Sequence, residues 1–254
     1  MSFQFKSACG CYIGNRRSNQ DNFYFNKKHL PVKNKGLKSP LKLNSSTDEP
    51  LIFAVFDGMG GESKGEDASC LTAEVFGAEA KKLEELVISG KEFLYSTCFA
   101  SNSAVNAFRK KNQLGTVGTT VASIFLSQDE VVACNVGDSK IFRIREGQML
   151  QISEDHTDEK IMSAVGVNKK PVLLQYIGLP EDELTVEPYI AKCDIRKNDA
   201  YVICSDGVTD VVSVGKMFSL ICGNEPYDAV GKILTEVKLQ NGQDNATVII
   251  IKFD

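Results

Sequence analysis

The sequence predicts an α+β chain in which one β-sheet packs on another and the helices lie outside. Three observations carry this. Short strand-like runs recur along all 254 residues. Helical periodicity is confined to two stretches early and two late, so the βαβα alternation of a parallel doubly wound sheet is missing. No linker, internal repeat or low-complexity block divides the chain, which reads as a single domain over residues 1–254.

Phe3 to Ile13 reads as a strand, and Asn22 to Asn26 as a second, with Phe23, Tyr24 and Phe25 inside it. Residues 27–50 are rich in Lys, Asn, Ser and Pro, the composition of a solvated basic loop, or of one that steers substrate. Leu51 to Phe56 is a continuous apolar run, the pattern of a buried strand. From Gly65 to Leu86 the apolar residues Ala68, Leu71, Val75, Ala78, Leu83 and Leu86 fall at helical spacing. A second helix follows Gly90, with Phe93, Cys98, Val105 and Phe108 on one side. Strand character returns over Gly115 to Phe125. Glu130 to Val136, Lys140 to Arg145 and Met149 to Ile152 form a meander, turning at Glu146-Gly147. Asp158 to Pro171 is helix or loop. Leu184 to Ala191 and Ala200 to Cys204 are strands, Val214 to Ile221 and Tyr227 to Leu239 helices, and Ala246 to Phe253 a last buried strand.

Hydrophobic content of 43% and charged content of 24% suit a globular chain with a sizeable core. A formal net charge of −4 lacks the basic surplus of a nucleic-acid binder. No apolar run is long enough to span a membrane, and residues 1–14 lack the pattern of a secretory leader. Eight cysteines scattered through apolar stretches behave as small hydrophobes. We therefore expect a reduced, cytoplasmic compartment; a monomer is also expected.

Four acidic motifs share one pattern, an Asp beside a turn-forming residue at the end of a predicted strand. They are Asp57-Gly58, Asp138-Ser139, Asp206-Gly207 with Asp210, and Asp244-Asn245, the last preceding its strand. Carboxylates there are costly to leave unpaired, and hard cations such as Mg²⁺ and Mn²⁺ seek oxygen ligands. Taken singly, each Asp-Gly is an ordinary turn.

In order along the chain stand Arg16-Arg17-Ser18-Asn19-Gln20-Asp21, FAVFDGMGGESKGEDAS at 53–69, GTT at 118–120, NVGDSKIFRI at 135–144, EDHT at 154–157, CSDGVTD at 204–210 and DNATVII at 244–250. This series resembles the metal-dependent serine/threonine protein phosphatases of the PPM family (type 2C), in their bacterial branch. The resemblance implies a central β-sandwich of two antiparallel sheets flanked by helix pairs, four layers in the order α-β-β-α. It implies hydrolysis of phosphoserine and phosphothreonine in proteins, by a water or hydroxide shared between metals, with no covalent enzyme intermediate. Two or three Mn²⁺ or Mg²⁺ ions are implied. Asp57 would bridge two, with the Gly58 carbonyl on one and Asp206 and Asp244 on the other. Asp138, Asp206 and Asp210 match a third site, and Asp21 would lie at the rim, binding mostly through water. Arg16 would grip the substrate phosphate with its planar fork, with Arg17 as its neighbouring competitor. Phosphorylated proteins are the implied partners, opposed by a signalling serine/threonine kinase.

Three departures stand out. Met59 replaces a histidine assigned elsewhere as general acid, so metal-bound water would take that part. Gln20 replaces a glutamate, removing a possible direct ligand. The flap over 158–174 is short, leaving fewer substrate contacts. His156 reads as a structural hydrogen-bonding residue and His29 as solvated. Cys11 with Arg17 fits the Cys-x5-Arg pattern of thiolate phosphatases, but the segment has no preceding His and leads into a strand.

Overall fold

In a computed structural model the described residues are 2–60, 64–83, 88–167, 169, 171–181 and 184–254. Strands β1 (Gln4–Tyr12), β2 (Asp21–Phe25), β3 (Leu41–Ser46) and β4 (Leu51–Gly60) precede helices α1 (Gly65–Lys82) and α2 (Gly90–Lys111). Then come β5 (Val117–Thr119), β6 (Val121–Ser127), β7 (Glu130–Val136), β8 (Lys140–Arg145), β9 (Gln148–Gln151) and the short α3 (Glu159–Ala164). β10 (Tyr189–Asp194), β11 (Ala200–Cys204), α4 (Asp206–Thr209), α5 (Val214–Cys222), α6 (Pro226–Leu239) and β12 (Ala246–Phe253) complete the order.

One sheet runs β3-β1-β12-β11-β8-β9 and the other β10-β7-β6-β4-β2, with β5 pairing the far end of β4. Every pairing between these strands is antiparallel. Alternation along the strands sorts the side chains into three cores. Phe5, Phe23, Phe53, Val55, Ile124, Tyr201, Ile249 and Phe253 meet between the sheets. Phe56, Phe76, Phe93 and Phe125 lie between the second sheet and α1 with α2. Val202, Val230, Ile233, Val248 and Ile250 fill the space under α5 and α6. Residues 248–251 of β12 form a continuous buried apolar run because both faces of the strand are covered, and each such side chain stabilises the fold by about 1.5–3 kcal/mol. This is the expected α-β-β-α sandwich.

Local chemistry explains the helix positions. Ser89 and Glu92 close a capping box at the start of α2, worth about 1 kcal/mol. Gly10 lets α6 settle on β1, since a Cβ there would stand 2.5 Å from Val230 Cγ1. At Glu146-Gly147 both residues have positive φ, 51° and 76°, the backbone of a tight hairpin turn.

Several boundaries differ from expectation. Residues 27–50 are not all loop: Leu41 and Leu43 turn inward while Lys42 and Asn44 face solvent, and this alternation builds the edge strand β3 against β1. The polar composition had masked a period of two. The Gly115–Phe125 run breaks at Thr120, and the Leu184–Ala191 strand moves to Tyr189–Asp194 to pair with β7. α1 is described only to its C-cap at Leu83, so the expected extension to Leu86 lies outside the described residues, as does Gly61.

Candidate metal centre

The site lies at one end of the sandwich, where the inward rows of both sheets change from apolar to acidic. Phe53 and Val55 face the inter-sheet core, and the next inward residue of that row is Asp57. Across the ladder Asp57 stands directly opposite Asp21, which continues the row of Phe23 and Phe25. From the other sheet, Ser205 follows Tyr201 and Ile203, and Thr247 precedes Ile249 and Ile251. Asp57 is therefore a residue of β4 itself and not, as expected, one just beyond the strand.

Arg16, Gln20, Asp57, Gly58, Met59, Asp138, Asp206 and Asp244 line a single open cleft of about 300 Å³. Pro171 and Leu173, from the 158–174 flap, form part of its wall, and a bridge between Thr157 and Leu173 holds that flap beside it. Arg16 is the one basic side chain among the described lining residues. Its Nη2 donates to Asp244 Oδ2 at 2.7 Å.

Two predicted residues stand elsewhere. Asp21 is not at the rim: it is 1% exposed, beneath the cleft. Its Oδ2 accepts from Ser205 Oγ at 2.8 Å and Thr247 Oγ1 at 2.7 Å, while its Oδ1 is buried with no partner. Asp210 is exposed at the C-cap of α4, one helical turn past Asp206, and is not part of the lining. Arg17 is also outside the lining.

Close backbone packing holds the acids in place. A Cβ on Gly58 would lie 2.2 Å from the Gly65 carbonyl oxygen and 2.6 Å from that of Gln20. One on Gly207 would lie 1.9 Å from the Asn245 carbonyl oxygen. The Asp-Gly pairs are thus sites of close backbone approach rather than free turns. The Asp57 carbonyl accepts from Thr119 Oγ1 at 2.9 Å and Thr120 N at 2.8 Å, and Thr120 Oγ1 accepts the Asp57 N–H at 3.0 Å. Asn245 Nδ2 donates to the Ile13 and Ser18 carbonyls, clamping the loop that carries Arg16. Lys35 Nζ and Asn34 brace the same loop through the Arg17 carbonyl and Asn19, a part that composition did not suggest for the basic segment. Asn245 was named only as the neighbour of Asp244, and Ser205, Thr247 and Glu66 stood only within the motif strings; none of the four was given a role from the sequence.

Repulsion and burial load the carboxyls. Burial first, then Asp21 and Asp206, push Asp57 well above the ordinary carboxylate range. Burial likewise raises Asp21 to about 7 against the pull of its two hydroxyl partners, and Asp138 to about 6. Acids raised in this way are what a divalent cation would relieve. The donors are hard oxygens, one of them an orphaned buried carboxylate oxygen, and they fit Mg²⁺ or Mn²⁺. No three His, Cys, Asp or Glu side chains among the described residues converge as a ready-made cage. Ions here would complete their shells with backbone carbonyl and water, as Mg²⁺ habitually does.

His156 lies behind the site, its Nδ1 accepting the Gly137 N–H at 3.2 Å, which is the structural part expected of it. Cys11 is buried in β1 against Asn19 and Thr247, and burial pushes its thiol up to about 12. A thiolate nucleophile there is excluded.

Residues 41–231 match the family model described as protein phosphatase 2C. The serine/threonine phosphatase stp of Listeria innocua is 25% identical over 81% of this chain and 85% of its own length. The Mycobacterium tuberculosis serine/threonine phosphatase PstP superposes with a TM-score of 0.79 at 22% identity, covering 99% of both chains. A structure of the catalytic domain of PstP, solved in complex with two manganese ions, gives the same TM-score and identity over 100% of this chain and 99% of that one. At these identities the structures establish a shared fold.

Proposed function

The chain belongs to the protein phosphatase 2C family, and on that premise we propose how its cleft hydrolyses phosphoserine and phosphothreonine in proteins with bound Mn²⁺ or Mg²⁺. Asp57, the Gly58 carbonyl, Asp206 and Asp244, which line the cleft together, would hold two ions, with Asp57 shared between them. Asp138 and Asp206 would hold a third ion from the cleft wall, with Asp210, one helical turn past Asp206, as the outermost candidate. Asp21 acts from beneath, through water. When bound, the ions supply positive charge for the phosphoryl oxygens and lower the pKa of water toward neutrality.

The chain's own residues do the rest. Arg16 turns its guanidinium fork onto the phosphate, leaving Asp244 free to bind metal. Thr119 and Thr120 hold the Asp57 backbone, and Asn245 holds the Arg16 loop. Met59 lines the cleft with a thioether, which has no proton to give, so the leaving oxygen is protonated by water. No covalent intermediate is needed. The whole chain is one catalytic domain, working as a monomer in the cytoplasm against a serine/threonine kinase on shared phosphoproteins. Eight free cysteines support that compartment. No helix among the described residues is long and apolar enough to cross a membrane.

The observation that carries this reading is that Asp57, Asp138, Asp206 and Asp244 line one cleft together with Arg16. The test is turnover of a phosphothreonine peptide with Mn²⁺, with Mg²⁺ and with EDTA. Activity that chelation abolishes and either ion restores is expected; full activity in EDTA overturns the assignment.

A further inference from the structure

Gln20 is pinned at both ends of its main chain. Its N–H donates to Asn245 Oδ1 at 2.8 Å, and its carbonyl accepts the Gly58 N–H at 3.1 Å. It thus ties the Asp244-Asn245 segment to Asp57-Gly58, and only its side chain retains a choice of direction. Glu66, in the first turn of α1, makes that choice: Gln20 Nε2 donates to Glu66 Oε2 at 3.3 Å. A carboxylate can only accept and an amide oxygen cannot donate, so the nitrogen must be the end turned toward Glu66. Packing leaves little room for the amide to swing. A Cβ on Gly65 would stand 2.8 Å from Gln20 Nε2 and 2.7 Å from the Gly58 carbonyl. Gln20 lines the cleft, whereas Glu66 does not.

We propose that Glu66 is a positioning residue, which orients the Gln20 amide so that Oε1 is the end offered to the cleft as a neutral oxygen ligand for a divalent cation. The inference rests on reading the cleft as a metal centre. It also gives the glutamine a physical sense. The cleft already gathers four aspartates, and a neutral ligand adds a donor without a further negative charge. The carboxylate stands one layer back, at a helix N-terminus, where the backbone N–H groups favour it.

Calorimetric titration of the metal-free chain with Mn²⁺ tests this, using the wild type, Glu66→Ala, Glu66→Gln, Gln20→Ala and the double Gln20→Ala/Glu66→Ala variant. Thermal melts in EDTA check that each folds. Glu66→Ala should weaken Mn²⁺ binding about tenfold, the lower end for the partner of a metal ligand. Glu66→Gln keeps an acceptor for Gln20 Nε2 and should retain most of the affinity. In the Gln20→Ala background, removing Glu66 should cost nothing further. Equal losses in Glu66→Gln and Glu66→Ala, or additive losses in the double variant, would mean that Glu66 acts by charge alone and overturn the proposal. Unchanged affinity in Glu66→Ala would overturn it too. Should the wild type itself bind no Mn²⁺, the metal-centre reading fails first, which separates the two failures.

Discussion

Arg16 Nη2 lies 2.7 Å from Asp244 Oδ2, so the group assigned to the substrate phosphate is bonded to a carboxylate assigned to an ion. The two sit on opposite ends of the chain and meet only because the 13–20 loop folds over the start of β12. Each satisfies the other, so Arg16 could bind a phosphate and Asp244 an ion only if both changed partners.

Replacing Arg16 by Ala therefore separates two roles. The charge-assisted bonds to phosphate are worth about 1.5–3 kcal/mol, which is a roughly 10- to 100-fold rise in KM for a phosphothreonine peptide. Mn²⁺ binding by calorimetry should hold or strengthen slightly, since Asp244 loses a competitor. Arg16→Lys should recover only part of the loss, because an ammonium cannot grip two phosphoryl oxygens in a fork.

At Asp57 the expectation is the reverse. Asp57→Asn removes the charge of the one carboxylate expected to touch both ions, and Mn²⁺ affinity should fall by roughly 100-fold or more. Turnover of an aryl phosphate falls to near background with it. Near-normal turnover in this variant would show that the ions bind elsewhere.

Beneath the cleft, Thr247→Val keeps the shape of the side chain but removes a hydroxyl that holds Asp21 Oδ2. Leaving that buried carboxylate short of a donor should destabilise the fold by about 1–3 kcal/mol in urea unfolding. Ser205→Ala, which removes the second donor, should do the same.

Two glycines should respond with opposite signs. Gly58→Ala drives a methyl into the Gly65 and Gln20 carbonyls, so it should destabilise by about 1–3 kcal/mol and disturb Mn²⁺ binding. Gly231, inside α6, has nothing within 4 Å of an added Cβ. Gly231→Ala should stabilise by about 0.5–1 kcal/mol, by raising helix propensity and restricting the unfolded chain. Urea midpoints of both variants check the pair.

The order of the elements, the sandwich class and the four acidic motifs could all be read from the sequence, because period-2 and period-3.6 patterning and Asp-Gly pairs are local signals. So could the exclusion of a parallel sheet. The edge strand β3 could not, because its inward leucines are only two in a stretch dominated by Lys, Asn and Ser. Nor could the depth of Asp21: nothing local distinguishes a rim carboxylate from one sealed under Ser205 and Thr247, residues about 180 and more positions away. The same holds for Gly58, which reads as a turn but lies inside β4, made necessary by backbone from Gln20 and Gly65. By itself the sequence determined which residues carry the acid chemistry and in what kind of layers they sit. Only the tertiary structure decided which acids share the cleft and which lie below or outside it, and that Glu66 faces Gln20. Strand register and helix docking bring together groups that no spacing along the chain relates.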